Sequence, residues 1–241
     1  FKWNMGWMND SLVYIGRDPL YRSHHEGELS FSFVYAFSEN FVLPISHDEV
    51  VHGKGSLFTR MPGDHWQQLA NMRAYLAYMW GHPGKQLLFM GQEFGQMSEW
   101  SEGRGLDWWM LDQPAHQQLQ HFVAALNRTY RDEAPLWSRD TDGSAFSRVW
   151  PHTPDGNILG FARRDHDGGT VVVLCNFAGS PRHDVRITLP EAGAWAEILN
   201  SDAQEFGGSG VGNFGGVTTD ADGTATVVLP PLGVLWLRHQ A

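Results

Sequence analysis

Residues Phe41-Val-Leu-Pro-Ile-Ser-His-Asp-Glu-Val50 join a short apolar run directly to a group of polar side chains. An apolar run of this length is typical of a buried strand, and Ser46 to Glu49 follow at its carboxyl end. In parallel α/β barrels, polar side chains at the carboxyl ends of strands line the mouth of the active site. The stretch therefore predicts a strand that carries functional residues at its end. One alternative stays open: Ser46 or Asp48 is a helix N-cap, and the acids that follow belong to the first turn.

Strand and helix patterns alternate around this stretch. Residues 85–90 form a second predicted strand, which also ends in polar residues, Gln92 and Glu93. The spacing of apolar residues predicts helices over 64–80 and 114–130. Alternating strands and helices imply parallel strands joined by right-handed crossovers, as in barrels and doubly wound sheets.

The pattern changes after about residue 140. All 8 Met and all 3 Lys lie in the first 110 residues, whereas 15 of the 27 Gly follow residue 140, so we predict two domains, 1–135 and 136–241. Short apolar runs separated by Asp-Gly and Gly-Gly turn signals predict an antiparallel β-sandwich in the second domain, together with a glycine-rich loop over 207–216. The predicted strands are 145–150, 158–163, 170–177, 184–189, 195–199, 224–229 and 232–238.

Composition narrows the class of protein. With 241 residues, 42% hydrophobic and 18% charged, the chain is predicted to fold into a globular protein. The net charge of −10 disfavours nucleic acid as a partner, because such binding depends on basic contacts. No run approaches the roughly 20 apolar residues of a membrane helix, so we expect no membrane partner. Cys175 is the single cysteine, which excludes an internal disulfide and fits a reducing, cytoplasmic location.

Other motifs of catalytic or cofactor sites fail. Gly53-Lys54-Gly55-Ser56 lacks the glycine spacing of a phosphate loop, and the 207–216 loop lacks the strand-to-helix context of a dinucleotide site. His24-His25 and the His47/His52 pair have no third ligand at a convincing spacing. We therefore predict no metal and no cofactor.

Tryptophan is concentrated in the first part of the chain, where 7 of the 11 Trp precede residue 110. Trp100 and the Trp108-Trp109 pair lie among polar and glycine residues, where flat aromatic faces suit the apolar faces of sugar rings. For any single Trp, packing in a core is the commoner role.

Several segments of the sequence together carry one family resemblance. The segment Leu43-Pro-Ile-Ser-His-Asp-Glu-Val-Val-His-Gly-Lys54 resembles the fourth conserved region of the α-amylase superfamily, in the form found in 1,4-α-glucan (glycogen) branching enzymes. The resemblance extends over Phe1-Lys-Trp-Asn-Met-Gly-Trp-Met8, Leu87-Leu-Phe-Met-Gly-Gln-Glu-Phe-Gly95, Leu106-Asp-Trp108, Asn200-Ser-Asp and Gly207-Gly-Ser-Gly-Val-Gly-Asn213. The His-Asp pair alone indicates the superfamily, and its combination with the other segments is specific to branching enzymes.

The resemblance implies the second half of a (β/α)8 barrel, strands six to eight, followed by an all-β C-terminal domain, so that the chain is a C-terminal fragment. It implies a retaining transfer of an α-1,4-glucan segment, from glycogen or amylose, to a 6-hydroxyl. Asp48 is similar to the third essential carboxylate of the family, and His47 to its neighbouring histidine. The nucleophile and the general acid belong to earlier strands, so the fragment alone is expected to be inactive.

The resemblance also implies substrate-binding or supporting roles for five residues, Trp3, Trp7, Glu49, Lys54 and Glu93, each of which has a structural alternative. Two other functions remain open. One is another α-amylase superfamily enzyme, such as a maltosyltransferase or a debranching enzyme, and the other is a glucan-binding fragment without catalysis. The oligomeric state is not indicated by the sequence.

Overall fold

The computed structural model describes residues 1–240. Its helices are α1 (Met5–Ile15), α2 (Gly27–Ser30), α3 (Leu57–Arg60), α4 (His65–Gly81) and α5 (Pro114–Asp132). Its strands are β1 (Lys2–Trp3), β2 (Phe41–Ile45), β3 (Lys85–Leu88), β4 (Phe146–Val149), β5 (Ile158–Arg164), β6 (Thr170–Asn176), β7 (Arg182–Thr188), β8 (Ala194–Asn200), β9 (Gly216–Thr218), β10 (Thr224–Leu229) and β11 (Gly233–Gln240).

The first three strands form a parallel sheet in the order β1-β2-β3. In the register of β2 and β3, Val42 lies opposite Lys85 and Ile45 lies opposite Leu88, so the two strands end at the same level. The polar residues that follow β2 and β3 therefore leave the sheet at one edge.

Helix α4 separates this parallel sheet from the all-β part of the chain. It starts at an N-cap, Asp64, whose side chain accepts a hydrogen bond from Gln67 N. From Leu69 to Gly81 every residue is buried, because α4 packs on β3 and α5 and also on β6 and β11. Helix α5 buries only one face, which matches the three- and four-residue spacing of its apolar residues.

The all-β part contains a six-stranded antiparallel sheet, in the order β4-β5-β6-β11-β8-β9, and a separate pair, β10-β7. Every residue of β6 is buried, since helices cover one face of the large sheet and the β10-β7 pair covers the other. Val171, Val173 and Cys175 point into the core shared with the helices. Val172 and Leu174 point into the core between the two sheets, as the two-residue period of a strand requires.

All seven predicted strands of this part are present, with bounds that differ by a few residues. Strand β9, which spans only Gly216–Thr218, was not predicted. Helices α4 and α5 and strand β2 lie close to their predicted positions, whereas α1 was not predicted. None of the helices within residues 1–240 combines the length and apolar character needed to cross a membrane.

Candidate active site

The chain turns sharply where β2 ends, and its own side chains hold the turn. Ser46 begins a short 3-10 helix, and its Oγ accepts a hydrogen bond from Asp48 N at 3.2 Å. Glu49 Oε2 accepts hydrogen bonds from both the amide and the hydroxyl of Ser46, each at 2.7 Å. This reciprocal pattern is a capping box, in which Ser46 is the cap and Glu49 is the acid that closes the turn.

Asp48 is left free by this arrangement. Its carboxylate takes no part in the cap, and its side chain is 58% exposed. His47 Nε2 lies 3.2 Å from Asp48 Oδ1, and the His47 side chain is 53% exposed. Of the two caps considered from the sequence, only Ser46 is one, and Asp48 stands open beside an imidazole.

Lys54 reaches the same turn from the loop that follows it. Its Nζ donates a hydrogen bond to the backbone carbonyl of Asp48 at 2.7 Å. Residues 46–49 and Lys54 form one cluster, which we call the strand-end site. It offers a carboxylate and an imidazole to a ligand, groups that bind hydroxyls and favour positive charge.

Glu49 is the buried member of the strand-end site, and its side chain holds the turn. It is only 5% exposed, and both bonds from Ser46 end on its carboxylate. Its backbone carbonyl accepts a hydrogen bond from Arg60 Nη2 at 2.6 Å. Glu49 therefore shapes the turn.

The two tryptophans of the opening segment lie elsewhere. Trp3 is half-exposed and pairs with Val42, three residues before the end of β2, which is roughly 10 Å along a strand. Trp7 is 1% exposed, its ring stacks on Tyr75 and Tyr78, and its Nε1 donates to the Tyr78 hydroxyl. The structure does not bring either ring to the strand-end site.

Glu93 follows β3 at the same edge of the sheet as the strand-end site. Its Oε2 accepts a hydrogen bond from Gly91 N at 2.7 Å. Its side chain lines an open groove of about 1010 Å³ between β3 and α5, together with Leu88 and Tyr130. No hydrogen bond or ion pair joins it to Asp48 in the described residues.

Sequence reasoning missed a second loop that contacts the strand-end site. Glu99 and Trp100 lie more than 40 residues after it and hydrogen-bond to its loop. Trp100 stands out in the sequence because it lies among polar and glycine residues, but nothing in the sequence ties Glu99 to this site. Within residues 1–240 no group of three or more His, Cys, Asp or Glu side chains is placed to hold a metal ion.

Comparisons with known proteins agree with the sequence resemblance. The family model described as the alpha amylase C-terminal all-beta domain matches residues 150–240. The chain is 62% identical over 243 residues to the 1,4-alpha-glucan branching enzyme GlgB of Leifsonia xyli, covering 98% of this chain and 33% of that protein. It is 54% identical to the enzyme of the same name from Nocardia farcinica, with 98% and 32% covered, and 50% identical to that of Aquifex aeolicus, with 99% and 39% covered.

Two solved structures share the fold at low identity. A pullulanase complexed with maltotetraose from Anoxybacillus sp. LM18-11 matches with a TM-score of 0.67 and 11% identity, over 99% of this chain and 35% of that one. An alpha-amylase from H.orenii matches with a TM-score of 0.58 and 13% identity, over 99% and 48%. The chain spans about a third of the length of the curated relatives named above.

Proposed function

We propose, from the similarity of this chain to 1,4-alpha-glucan branching enzymes, that it belongs to their family and supplies the strand-end site of an enzyme that branches α-glucans. The reaction is the transfer of an α-1,4-glucan segment to a 6-hydroxyl, with glycogen or amylose as substrate. The observation that carries the proposal is the open carboxylate of Asp48, which the capping pair of Ser46 and Glu49 leaves free at the end of a parallel strand.

We assign Asp48 an electrostatic role in this reaction. A retaining glycosyl transfer passes through an oxocarbenium-like transition state, which a fixed anion favours. Asp48 binds hydroxyls of the sugar at the cleavage point, and its charge opposes the developing positive charge. His47, 3.2 Å from Asp48, donates to the same hydroxyls.

The remaining predicted residues divide by position. Lys54 fixes the backbone of Asp48, and Glu49 fixes the turn that presents it. Trp7 belongs to the apolar core that packs against the parallel sheet, and it supports the site from there. Trp3 and Glu93, which are partly exposed, contact glucan beyond the cleavage point.

We further propose that β1, β2 and β3 are consecutive strands of a (β/α)8 barrel, with residues 1–135 in the barrel and 136–241 in an all-β domain. Their parallel order and the helices between β2, β3 and the all-β part support this arrangement. The nucleophile and the general acid lie on other strands of that barrel. A cytoplasmic location is proposed as well, supported by the free, buried Cys175.

A segment exchange tests the function. The matching third of the Leifsonia xyli enzyme is replaced by this chain, and the hybrid is incubated with amylose while iodine absorbance is followed. The hybrid should lower the absorbance as the intact Leifsonia xyli enzyme does, whereas this chain alone should leave it unchanged. A hybrid that melts normally and binds amylose, yet leaves the absorbance unchanged, would refute the proposal.

A further inference from the structure

The loop between residues 46–49 and α3 has a backbone that needs support from other parts of the chain. His52, Gly53 and Gly55 all have positive φ, at 58°, 80° and 72°. His52 is the one non-glycine residue among them, and such a conformation persists only where surrounding contacts hold it. Lys54 sits within this loop, so whatever holds the loop also places the Lys54 amine.

Glu99 provides that support from a distant part of the sequence. Gly53 N donates to Glu99 Oε1 at 2.9 Å, and Gly55 N donates to Glu99 Oε2 at 3.0 Å. The amides of Gly53 and Gly55, on either side of Lys54, thus converge on one carboxylate. The bonds from Gly53 and Gly55 lower the pKa of the Glu99 carboxyl, which keeps it ionised and bound. Arg104 Nη2 donates a hydrogen bond to the Glu99 carbonyl at 2.6 Å, which stabilises the same segment.

Trp100 makes a second connection. Its amide donates to the Val50 carbonyl at 3.0 Å, which ties the two loops together beside Glu99. Its ring stands edge-on to Phe89, with ring centres 5.3 Å apart. Phe89 in turn lies 6.0 Å from the His47 ring and donates its amide to Ile45, at the end of β2.

Two separate chains of contacts thus connect Glu99 and Trp100, which are neighbours in sequence, to the strand-end site. One runs from Glu99 through the amides of Gly53 and Gly55 to Lys54 and the Asp48 carbonyl. The other runs from Trp100 through Phe89 to the His47 ring. We infer that Glu99 and Trp100 are positioning residues that fix Asp48 and His47 by locking the loop after β3 onto the loop after β2. The catalytic consequence of this inference rests on the proposed function.

A purely structural loop tether would affect stability and leave the geometry of the site unchanged. The two roles differ in what happens to Lys54 and Asp48 when the carboxylate of Glu99 is removed. Glu99→Gln keeps the size of the side chain and weakens its acceptor. Glu102→Gln is the matched control, because Glu102 lies three residues further along the same loop and is exposed.

The first arm uses this chain and nuclear magnetic resonance. In Glu99→Gln we expect amide exchange at Gly53 and Gly55 to accelerate about tenfold, as for loss of one hydrogen bond to a charged group. The heteronuclear NOE at Lys54 and Asp48 should fall with it, and Glu102→Gln should match the unchanged chain. Unchanged exchange at Gly53 and Gly55, or faster exchange with no change at Lys54 and Asp48, would overturn the inference.

The second arm uses the hybrid enzyme with amylose. Glu99→Gln and Trp100→Leu should each lower kcat about 10- to 100-fold with KM nearly constant, because misplacement of a catalytic group by about 1 Å has effects of this size. Glu102→Gln should leave kcat unchanged. Unchanged kcat in both variants would overturn the catalytic consequence. A hybrid without activity before any substitution would count against the proposed function, and the first arm would still decide whether Glu99 positions the site.

Discussion

Strands β2 and β6 are both largely apolar and both enter a core, yet they are held in different ways. In β6 each side chain enters one of two cores, and its place follows from the two-residue period of the strand. At the end of β2 the chain leaves the core, and His47 and Asp48 stand more than half exposed. Hydrogen bonds from the chain on either side hold them there. Apolar burial thus stabilises the all-β part, whereas polar contacts position the candidate active site, most of them within the turn and some from Glu99, 46 residues after Gly53.

Three fully buried arginines connect the part of the chain that contains the parallel sheet to the all-β part. Arg22 donates to the Phe177 carbonyl, Arg73 donates to the Ser201 carbonyl, and Arg163 donates to the Gly81 carbonyl. Each bond crosses from the part that contains the parallel sheet to the all-β part, or back. The apolar core that contains α4 is also continuous across residue 136. The two predicted domains therefore share one core.

The largest expected change in stability is at this junction. Arg163→Met removes the guanidinium that donates to Asp140 and to the Gly81 carbonyl. We expect the free energy of unfolding to fall by about 3 kcal/mol, because a buried acceptor and a buried carboxylate each lose a partner. Lys85 still pairs with Asp140, which limits the loss. Urea denaturation of this chain measures it.

Arg164→Met is the matched control, because Arg164 is the next residue of β5 and its ion pair with Glu191 is partly exposed. This variant should lose less than about 1 kcal/mol. Equal losses of unfolding free energy in the two variants would show that the buried bonds of Arg163 stabilise the junction no more than a partly exposed ion pair does.

A smaller change is expected at the turn after β2. Glu49→Ala removes the acceptor of the Ser46 amide and hydroxyl, and we expect a loss of about 1 to 3 kcal/mol. Glu49→Gln should keep most of this stability, because Gln also closes capping boxes. Urea denaturation of both variants tests this. If Glu49→Gln loses as much as Glu49→Ala, the charge of Glu49 matters and the capping role is insufficient.

His82 gives a pH-dependent effect in the shared core. Burial lowers its pKa to about 3, and the ring bonds to Ser32 and to the Pro83 carbonyl. Since the unfolded chain binds this proton at a pKa near 6.5, the folded state loses about 1.4 kcal/mol per pH unit as the pH falls from about 6.5 towards 3. His82→Gln should remove this slope, and His24→Gln, at an exposed position, should keep it. Urea denaturation at pH 7 and pH 5.5 compares them, and identical slopes in all three proteins would contradict the effect.

How well the sequence predicts each region depends on whether the contacts of that region are local or lie far apart along the chain. The strands of the all-β part, β2 and α5 follow from periodicity and turn residues, which are local signals. Strand β9 was not predicted, because a strand of three residues that begins with Gly216 is too short to show a two-residue period. The burial of the three arginines was not predicted, because Arg is seldom fully buried. Only the folded chain brings carbonyl partners to them.

The candidate active site was predictable in part for the same reason. Asp48 and His47 stand next to a clear strand, so their place at its end was visible in the sequence. Trp7 was expected near the substrate, but a ring that stacks on two tyrosines of α4 can be placed only with the helix in position. Glu99 meets Gly53 across 46 residues, and no local pattern marks that contact.

The direct test of the role of Asp48 is the turnover of Asp48→Asn in the hybrid enzyme on amylose. Asn keeps the size of the side chain and removes the charge, and the exposed position should change stability by less than about 0.5 kcal/mol. If the charge opposes an oxocarbenium-like transition state, kcat falls about 10²- to 10³-fold while amylose affinity and Tm are retained. A variant that keeps its turnover, or loses it only together with Tm, would show that Asp48 does not act in the reaction.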